Sequence, residues 1–330
     1  MHAAQKDFQG VEARSRVTPR RRASVVLLSG REREATAPAV VLARATGREL
    51  GVLFQPIVAR EHLAGGESRW HYAGAEALLR AESGRGLSVR PDQLLPLIER
   101  ADLLPTLFDF VLGEALVALA GWQREGAPRL GAAVNLHAGA LLDEHLPDRI
   151  ARLLSASGVA PARLTLEISE SAPISDLRRA ARTLKRVRAL GVRVALDDFG
   201  AGFSTTTRLN WLECDELKID RALVHGLEGS DEQRCVVENL IALAHAHGMV
   251  ALAEGVETEE ALAILGEFGC DRAQGYLIAR PLAAASVATC ARDWQACAAA
   301  ALALRERQMA LPGFGFASPW WPEEALDAIA

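Results

Sequence analysis

The sequence predicts a (β/α)8 barrel, an α/β fold in which eight strands alternate with helices and the strand ends converge on one face. Two observations carry this. From Val52 to Ile278, short apolar segments rich in β-branched residues alternate with longer helix-patterned ones, and eight of the short segments read as strands. No GxGxxG follows the first strand, which removes the commonest ligand signature of the competing doubly wound open sheet.

The strand candidates, in order, are VLFQPIV (52–58), YAGAEALL (72–79), GAAVNL (131–136), RLTLEI (163–168), VRVALDD (192–198), ELKI (216–219), MVALAE (249–254) and AQGYLI (273–278). Helices are expected between them, among them 104–126, 176–191 and 231–248. The last two close on Gly191 and Gly248, the residue type that best adopts the left-handed turn after a helix. Outside the barrel the composition changes. Residues 1–40 form a basic, flexible arm, with eight Lys/Arg against four acids over Met1–Glu34. The barrel domain takes 41–283. Residues 284–330 are an Ala-rich helix and a Pro-broken tail carrying Trp320 and Trp321, which is expected to pack back on the barrel or to meet a partner.

A net charge of −5 and a pI near 6.0 speak against a general binder of nucleic-acid polymers. They leave room for an anionic small substrate, because a bound metal inverts the charge of an acidic site. The five cysteines include no CxxC pair and are odd in number, as in a reducing compartment, and no apolar run reaches the roughly 18 residues of a membrane span. A cytoplasmic protein without a membrane partner is expected.

Seven of the strand candidates are read as ending in polar residues: Glu76, Asn135, Glu167, Asp197 with Asp198, Lys218, Glu254 and Gln274. Any one of them reads as a helix cap or a solvated side chain. Together they place five carboxylates on one rim, where like charges repel unless a cation lies between them. Hard oxygen ligands without His or Cys point to Mg2+ or Mn2+, and more than four of them to two ions. Such a pair suits in-line hydrolysis of a phosphodiester, with Asp197 bridging the ions and Asp198 completing the second. Gly200 and Gly202, in the loop that follows, let a substrate approach closely.

Seven segments, EALLR (76–80), VNL (134–136), LTLEISE (164–170), DDFGAGFS (197–204), LKID (217–220), AEGVE (253–257) and QGYLIARPL (274–282), resemble in order and spacing the motifs of EAL-domain cyclic di-GMP phosphodiesterases. The resemblance runs from about Gly51 to Leu282. It implies that Glu76, Asn135, Glu167 and Asp197 hold the first metal, and that Asp197, Asp198 and Glu254 serve the second. Glu254 with Lys218 would position and deprotonate the attacking water. Gln55, Arg80, Asp215 and Gln274 would serve the substrate: Arg80 through a phosphate, Asp215 through a guanine, Gln274 by ordering the water and metal shell. Glu170 would brace the DDFGAGFST loop, which in this family links the metal site to a dimer interface, and Glu257 would support the same shell.

The departures are small: NLHA places His137 beside Asn135, Ser169 stands where the family has Thr, and GFSTTT replaces GYSS. No cyclase motif is present, and the stretch before the barrel is short for a sensor domain, so a nearly stand-alone catalytic domain is expected. Hydrolysis of cyclic di-GMP to linear pGpG by a homodimer is the leading expectation. A catalytically silent receptor is the rival, and a glycoside hydrolase would not account for Asn135 and Lys218.

Overall fold

The computed structural model describes residues 49–63, 68–82, 88–89, 91–200 and 211–294, with a few isolated positions before Glu49 and at Leu209. The basic arm, residues 201–208 of the glycine-containing loop and the tail with Trp320 and Trp321 lie outside the described residues.

Strands β1 (Glu49–His62) and β2 (Ser68–Glu82) form an antiparallel hairpin paired from Glu49↔Glu82 to His62↔Ser68. Strand and helix therefore do not alternate at the start of the barrel, contrary to the sequence rhythm. Residues 63–67 are too few for a crossover helix, and an antiparallel connection needs none. A two-residue β3 (Ser88–Val89) pairs with the end of β2. Helices α1 (Pro91–Arg100) and α2 (Leu104–Arg124) then lead to β4 (Gly131–Asn135), α3 (Leu146–Ser157) to β5 (Leu164–Ser169), and α4 (Leu177–Ala189) to β6 (Arg193–Phe199). Beyond the loop come β7 (Glu216–Ile219), a single turn α5 (Arg221–Val224), α6 (Asp231–Ala246), β8 (Val250–Ala253), α7 (Glu259–Glu267) and β9 (Arg272–Gln274). The order β1-β9-β8-β7-β6-β5-β4-β2 closes through the β1–β2 pairing into an eight-stranded barrel. Only β1 runs antiparallel to its neighbours there; β2 and β4 to β9 are mutually parallel.

Local chemistry sets the helix ends. Asp176, Ser230 and Thr258 each accept a backbone N–H from three residues ahead, at 2.9, 3.2 and 3.1 Å, and so start α4, α6 and α7. Gly191 (φ 90°) and Gly248 (φ 72°) end α4 and α6 in the left-handed conformation, as the sequence predicts.

Strand alternation divides the barrel residues into two sets. Leu166 and Ile168, Val194 and Leu196, and Leu217 and Ile219 are wholly buried in the layer beneath the helices. Burying each such side chain contributes about 1.5–3 kcal/mol. The other parity (Thr165 and Glu167, Ala195 and Asp197, Glu216 and Lys218) points into the barrel. Helix α2 is long and apolar enough, by length and composition alone, to cross a membrane. Its Trp122 meets Phe54 of β1 edge-on at 5.4 Å and donates to the Ala284 carbonyl at 2.7 Å, at the start of the helical residues 284–294.

Candidate active site

The inward parity brings one ammonium into the midst of the carboxylates. Lys218 of β7 is fully buried, and its Nζ lies 2.7 Å from Glu254, 2.9 Å from both Glu167 and Asp197, and 3.7 Å from Glu76. These residues come from five strands or strand ends: β2, β5, β6, β7 and the residue after β8. Around Glu76 the amides close in. Asn135 Nδ2 donates to Oε1 at 2.8 Å and Gln274 Nε2 to Oε2 at 2.8 Å. Gln274 Nε2 also lies 3.3 Å from Gln55 Oε1, and the Gln55 amide donates to the Ala279 carbonyl at 3.4 Å. Glu76 is not at the end of its strand, as the sequence reading had it. β2 runs on to Glu82 because its hairpin partner continues, and this carries Arg80, on the same parity, farther along the site side of the strand. Arg80 is half-buried, with Nη1 donating to the Leu79 carbonyl at 2.8 Å.

Two adjacent strand residues would normally face opposite sides, so a regular β6 would present only one of Asp197 and Asp198 to the site. The β6–β7 register breaks at this point: Leu196 pairs with Leu217, but Phe199 pairs with Ile219. The extra residue is a bulge, and Asp198 sits in it with φ 58°, a left-handed conformation for which Asp is one of the more tolerant residue types. Carboxylate oxygens of Asp197, Asp198 and Glu254 consequently lie within 4.8 Å of one another. Ser169 Oγ donates to Asp198 Oδ2 at 3.2 Å, and the Asp198 N–H to Asp197 Oδ1 at 3.0 Å. The Ser169 contact escaped the sequence reading, although its place two residues after Glu167 on one face of β5 was a usable signal.

The structure places the remaining predicted residues as follows. Glu170 is buried, and its Oε2 accepts the Gly200 N–H at 3.3 Å, joining the turn after β5 to the end of β6. Asp215 is not in the site. It precedes β7 instead of following it, so it lies at the opposite end of the barrel. There it holds Arg188 at 2.7 Å and accepts the Val194 N–H at 2.9 Å, which corrects the expectation of a guanine contact. Glu257 is exposed and touches no carboxylate of the cluster; among the described residues it makes no hydrogen bond or ion pair, so no supporting contact is seen. His137, next but one to Asn135, accepts the Gly139 N–H at 3.1 Å and caps a short 3-10 turn.

Five carboxylates around one ammonium leave the site strongly anionic, and the proton affinities reflect it. Burial, reinforced by Glu76 and against the pull of Lys218, drives Glu167 well above the carboxylate range. Burial, again opposed by Lys218, lifts Glu254 to about 7. Burial and the neighbouring Asp197 raise Asp198. Burial would raise Glu76 too, but Lys218 and the Gln274 and Asn135 amides outweigh it and leave Glu76 lowered. Lys218 itself is held well above its ordinary value: burial disfavours its charge, and the surrounding carboxylates more than compensate.

The donor set fits hard divalent cations. It is all oxygen, carries a large negative excess, and Glu167 Oε2 is buried without a hydrogen bond while Oε1 faces the Lys218 ammonium at 2.9 Å. The fold and the site thus define a (β/α)8 barrel with an acidic, oxygen-rich mouth at the C-terminal strand ends, the face on which such barrels carry their chemistry. The EAL domain model matches residues 40–281, and the chain belongs to the EAL-domain family. The cyclic di-GMP phosphodiesterase PA2567 of Pseudomonas aeruginosa is 36% identical over 209 residues, 63% of this chain and 35% of that protein. The cyclic di-GMP phosphodiesterase NbdA of the same organism is 35% identical over 239 residues, 72% of this chain and 30% of that protein. The chain spans about a third of the length of these curated relatives. Among solved structures, the PaMucR phosphodiesterase in complex with c-di-GMP superposes with a TM-score of 0.66 at 31% identity, over 77% of this chain and 98% of that one. The FimX EAL domain of Pseudomonas aeruginosa bound to c-di-GMP gives 0.62 at 25% identity, over 76% and 96%.

Proposed function

We propose that this chain is a metal-dependent phosphodiesterase that hydrolyses cyclic di-GMP to linear pGpG and so lowers a bacterial second messenger in the cytoplasm. The observation that carries the reading is the intact cluster: Glu76, Asn135, Glu167, Asp197, Asp198, Lys218, Glu254 and Gln274 are all present, and these eight side chains from seven segments converge on one mouth. Glu76, Asn135, Glu167 and Asp197 would hold one Mg2+ or Mn2+, and Asp197, Asp198 and Glu254 a second. The ions, when bound, supply charge for the attacked phosphate and acidify the attacking water.

The protein's own groups do the rest. Glu254, whose Oε1 lies 2.7 Å from Lys218 Nζ, is the proton acceptor. Lys218 keeps its proton, orients Glu254 and balances part of the negative charge. The Asn135 and Gln274 amides each donate to one oxygen of Glu76 and so hold its carboxylate in one rotamer. Arg80, on the extended hairpin above Glu76, offers a guanidinium to a phosphate oxygen, and Gln55 a polar edge beside it. The substrate assignment rests on the relatives named for cyclic di-GMP hydrolysis and on the two neighbours solved with the nucleotide. Assembly as a homodimer through the barrel belongs to the same reading, with Glu170 tying the metal-bearing strand end to the loop after it.

Incubating the purified protein with cyclic di-GMP and Mg2+ and separating the products by chromatography tests the proposal. pGpG formed with Mg2+ and abolished by chelator is the expected result. Tight nucleotide binding without turnover in either metal would replace it with the receptor reading.

A further inference from the structure

The opposite end of the barrel carries a site of reversed charge. At the N-terminal ends of the parallel strands the chain surrounds a cavity of about 840 Å3. That lies in the range of about 300–1,000 Å3 typical of pockets that enclose a small organic ligand. Arg69, Arg129, Arg163, Arg193, Arg272 and Arg292 line it, against the two carboxylates Glu61 and Glu216. In a chain of net charge −5, this is a local excess of four positive charges.

The pairing is incomplete. Glu216 holds Arg272 at 2.6 Å and Glu61 holds Arg69 at 2.8 Å. Arg163 and Arg292 are tied to the carbonyls of Leu130 and Glu125, but Arg163 Nη2 is buried without a hydrogen bond. Arg129, on the turn before β4, and Arg193, the first residue of β6, make no ion pair or hydrogen bond among the described residues. Two neutral donors add to them. Thr165, only 9% exposed and on the inward parity of β5, lines the cavity with no side-chain hydrogen bond, and His71 Nδ1 is buried without one. Burial lowers the proton affinity of His71. Glu61 opposes this, and Arg69, Arg272 and Arg129 add to it. Trp70 and Tyr72 add aromatic side chains to the lining.

Arg69, Arg129, Arg193 and Arg292 are exposed and open to a ligand arriving from solvent, and the planar forks of guanidiniums match phosphate oxygens. We propose that this cavity binds a small phosphate-bearing anion of about mononucleotide size, at the end of the barrel away from the carboxylate cluster. Its chemistry separates it from that cluster: its two carboxylates are each paired with an arginine, so binding needs no divalent cation.

Calorimetric titration of the full chain in chelator tests this, with 5′-GMP, inorganic pyrophosphate and uncharged guanosine as probes. One GMP or pyrophosphate per chain is expected, with no binding of guanosine and weakening as salt rises. The double variant Arg129→Ala/Arg193→Ala should raise the Kd about tenfold or more, as expected when charged hydrogen bonds are lost. Arg80→Ala, at the other end of the barrel, should leave it unchanged. If the double variant does not fold, Arg129→Gln on its exposed turn carries the same test. Absence of binding by both anions overturns the proposal. So does a Kd that responds to Arg80→Ala and ignores the arginines of the cavity, because the anion would then sit at the carboxylate mouth.

Discussion

Glu254 and Lys218 form the tightest contact in the cluster, at 2.7 Å, and they divide the work between proton acceptor and fixed charge. Glu254→Gln preserves shape and removes the acceptor. Turnover should fall by about 10²–10⁴-fold, as for loss of a general base, while cyclic di-GMP still binds in calorimetry. A variant of near-normal turnover would show that another group takes the proton. The raised carboxylates also make stability depend on pH in a direction that can be worked out. A group whose folded pKa lies above its unfolded value contributes stability that is fully present below the unfolded value. That contribution is lost as pH rises through the folded one. For Glu254 the window runs from about 4.5 to about 7, with Glu167 and Asp198 acting in the same sense and the lowered Glu76 in the opposite one. In chelator, the melting temperature of the native protein should therefore drop more between pH 5 and pH 8 than that of Glu254→Gln. Mg2+ should restore more of it at pH 8 than at pH 5. Parallel melting curves for the two proteins would contradict the assignment of the raised carboxylate.

At the scale of the element, β6 is the strand that departs from regularity. Its bulge places both aspartates on the site at the expense of a left-handed Asp198. Asp198→Asn keeps a residue type that tolerates this backbone, whereas Asp198→Val adds about 1–2 kcal/mol of strain. Both should lose most turnover with the carboxylate, and Val should melt clearly below Asn; equal melting would mean that the bulge relaxes freely. The contact between Glu170 and Gly200 couples the turn after β5 to the end of this strand. Glu170→Ala should lower turnover and raise the Mg2+ concentration for half activity. A mere capping residue would lower only the melting temperature, so metal titration and thermal denaturation on one sample separate the two roles.

For the whole molecule, every member of the cluster lies between Gln55 and Gln274, within the family match over 40–281. A chain beginning at Ala37 keeps Leu42, which is fully buried in the core, and should retain its specific activity. Lost activity in a folded truncation would assign the basic arm a part in the site or in a dimer.

The sequence by itself determined the barrel and most of its mouth. Strand parity is a property of a few consecutive residues, so Glu167, Asp197 and Lys218 could be read as inward-facing from the apolar residues that alternate with them. The glycine helix ends at Gly191 and Gly248 were legible for the same local reason. What only the tertiary structure decided depends on pairing between distant segments. Antiparallel closure by β1 turns on its partner β9, more than two hundred residues away in the chain. The approach of Asp198 to Ser169 needs a bulge defined by the register with β7. Asp215 stood among the site residues only through the family resemblance. Yet the start and the end of one short strand lie on opposite faces of the barrel, and only the fold shows on which of them a residue stands.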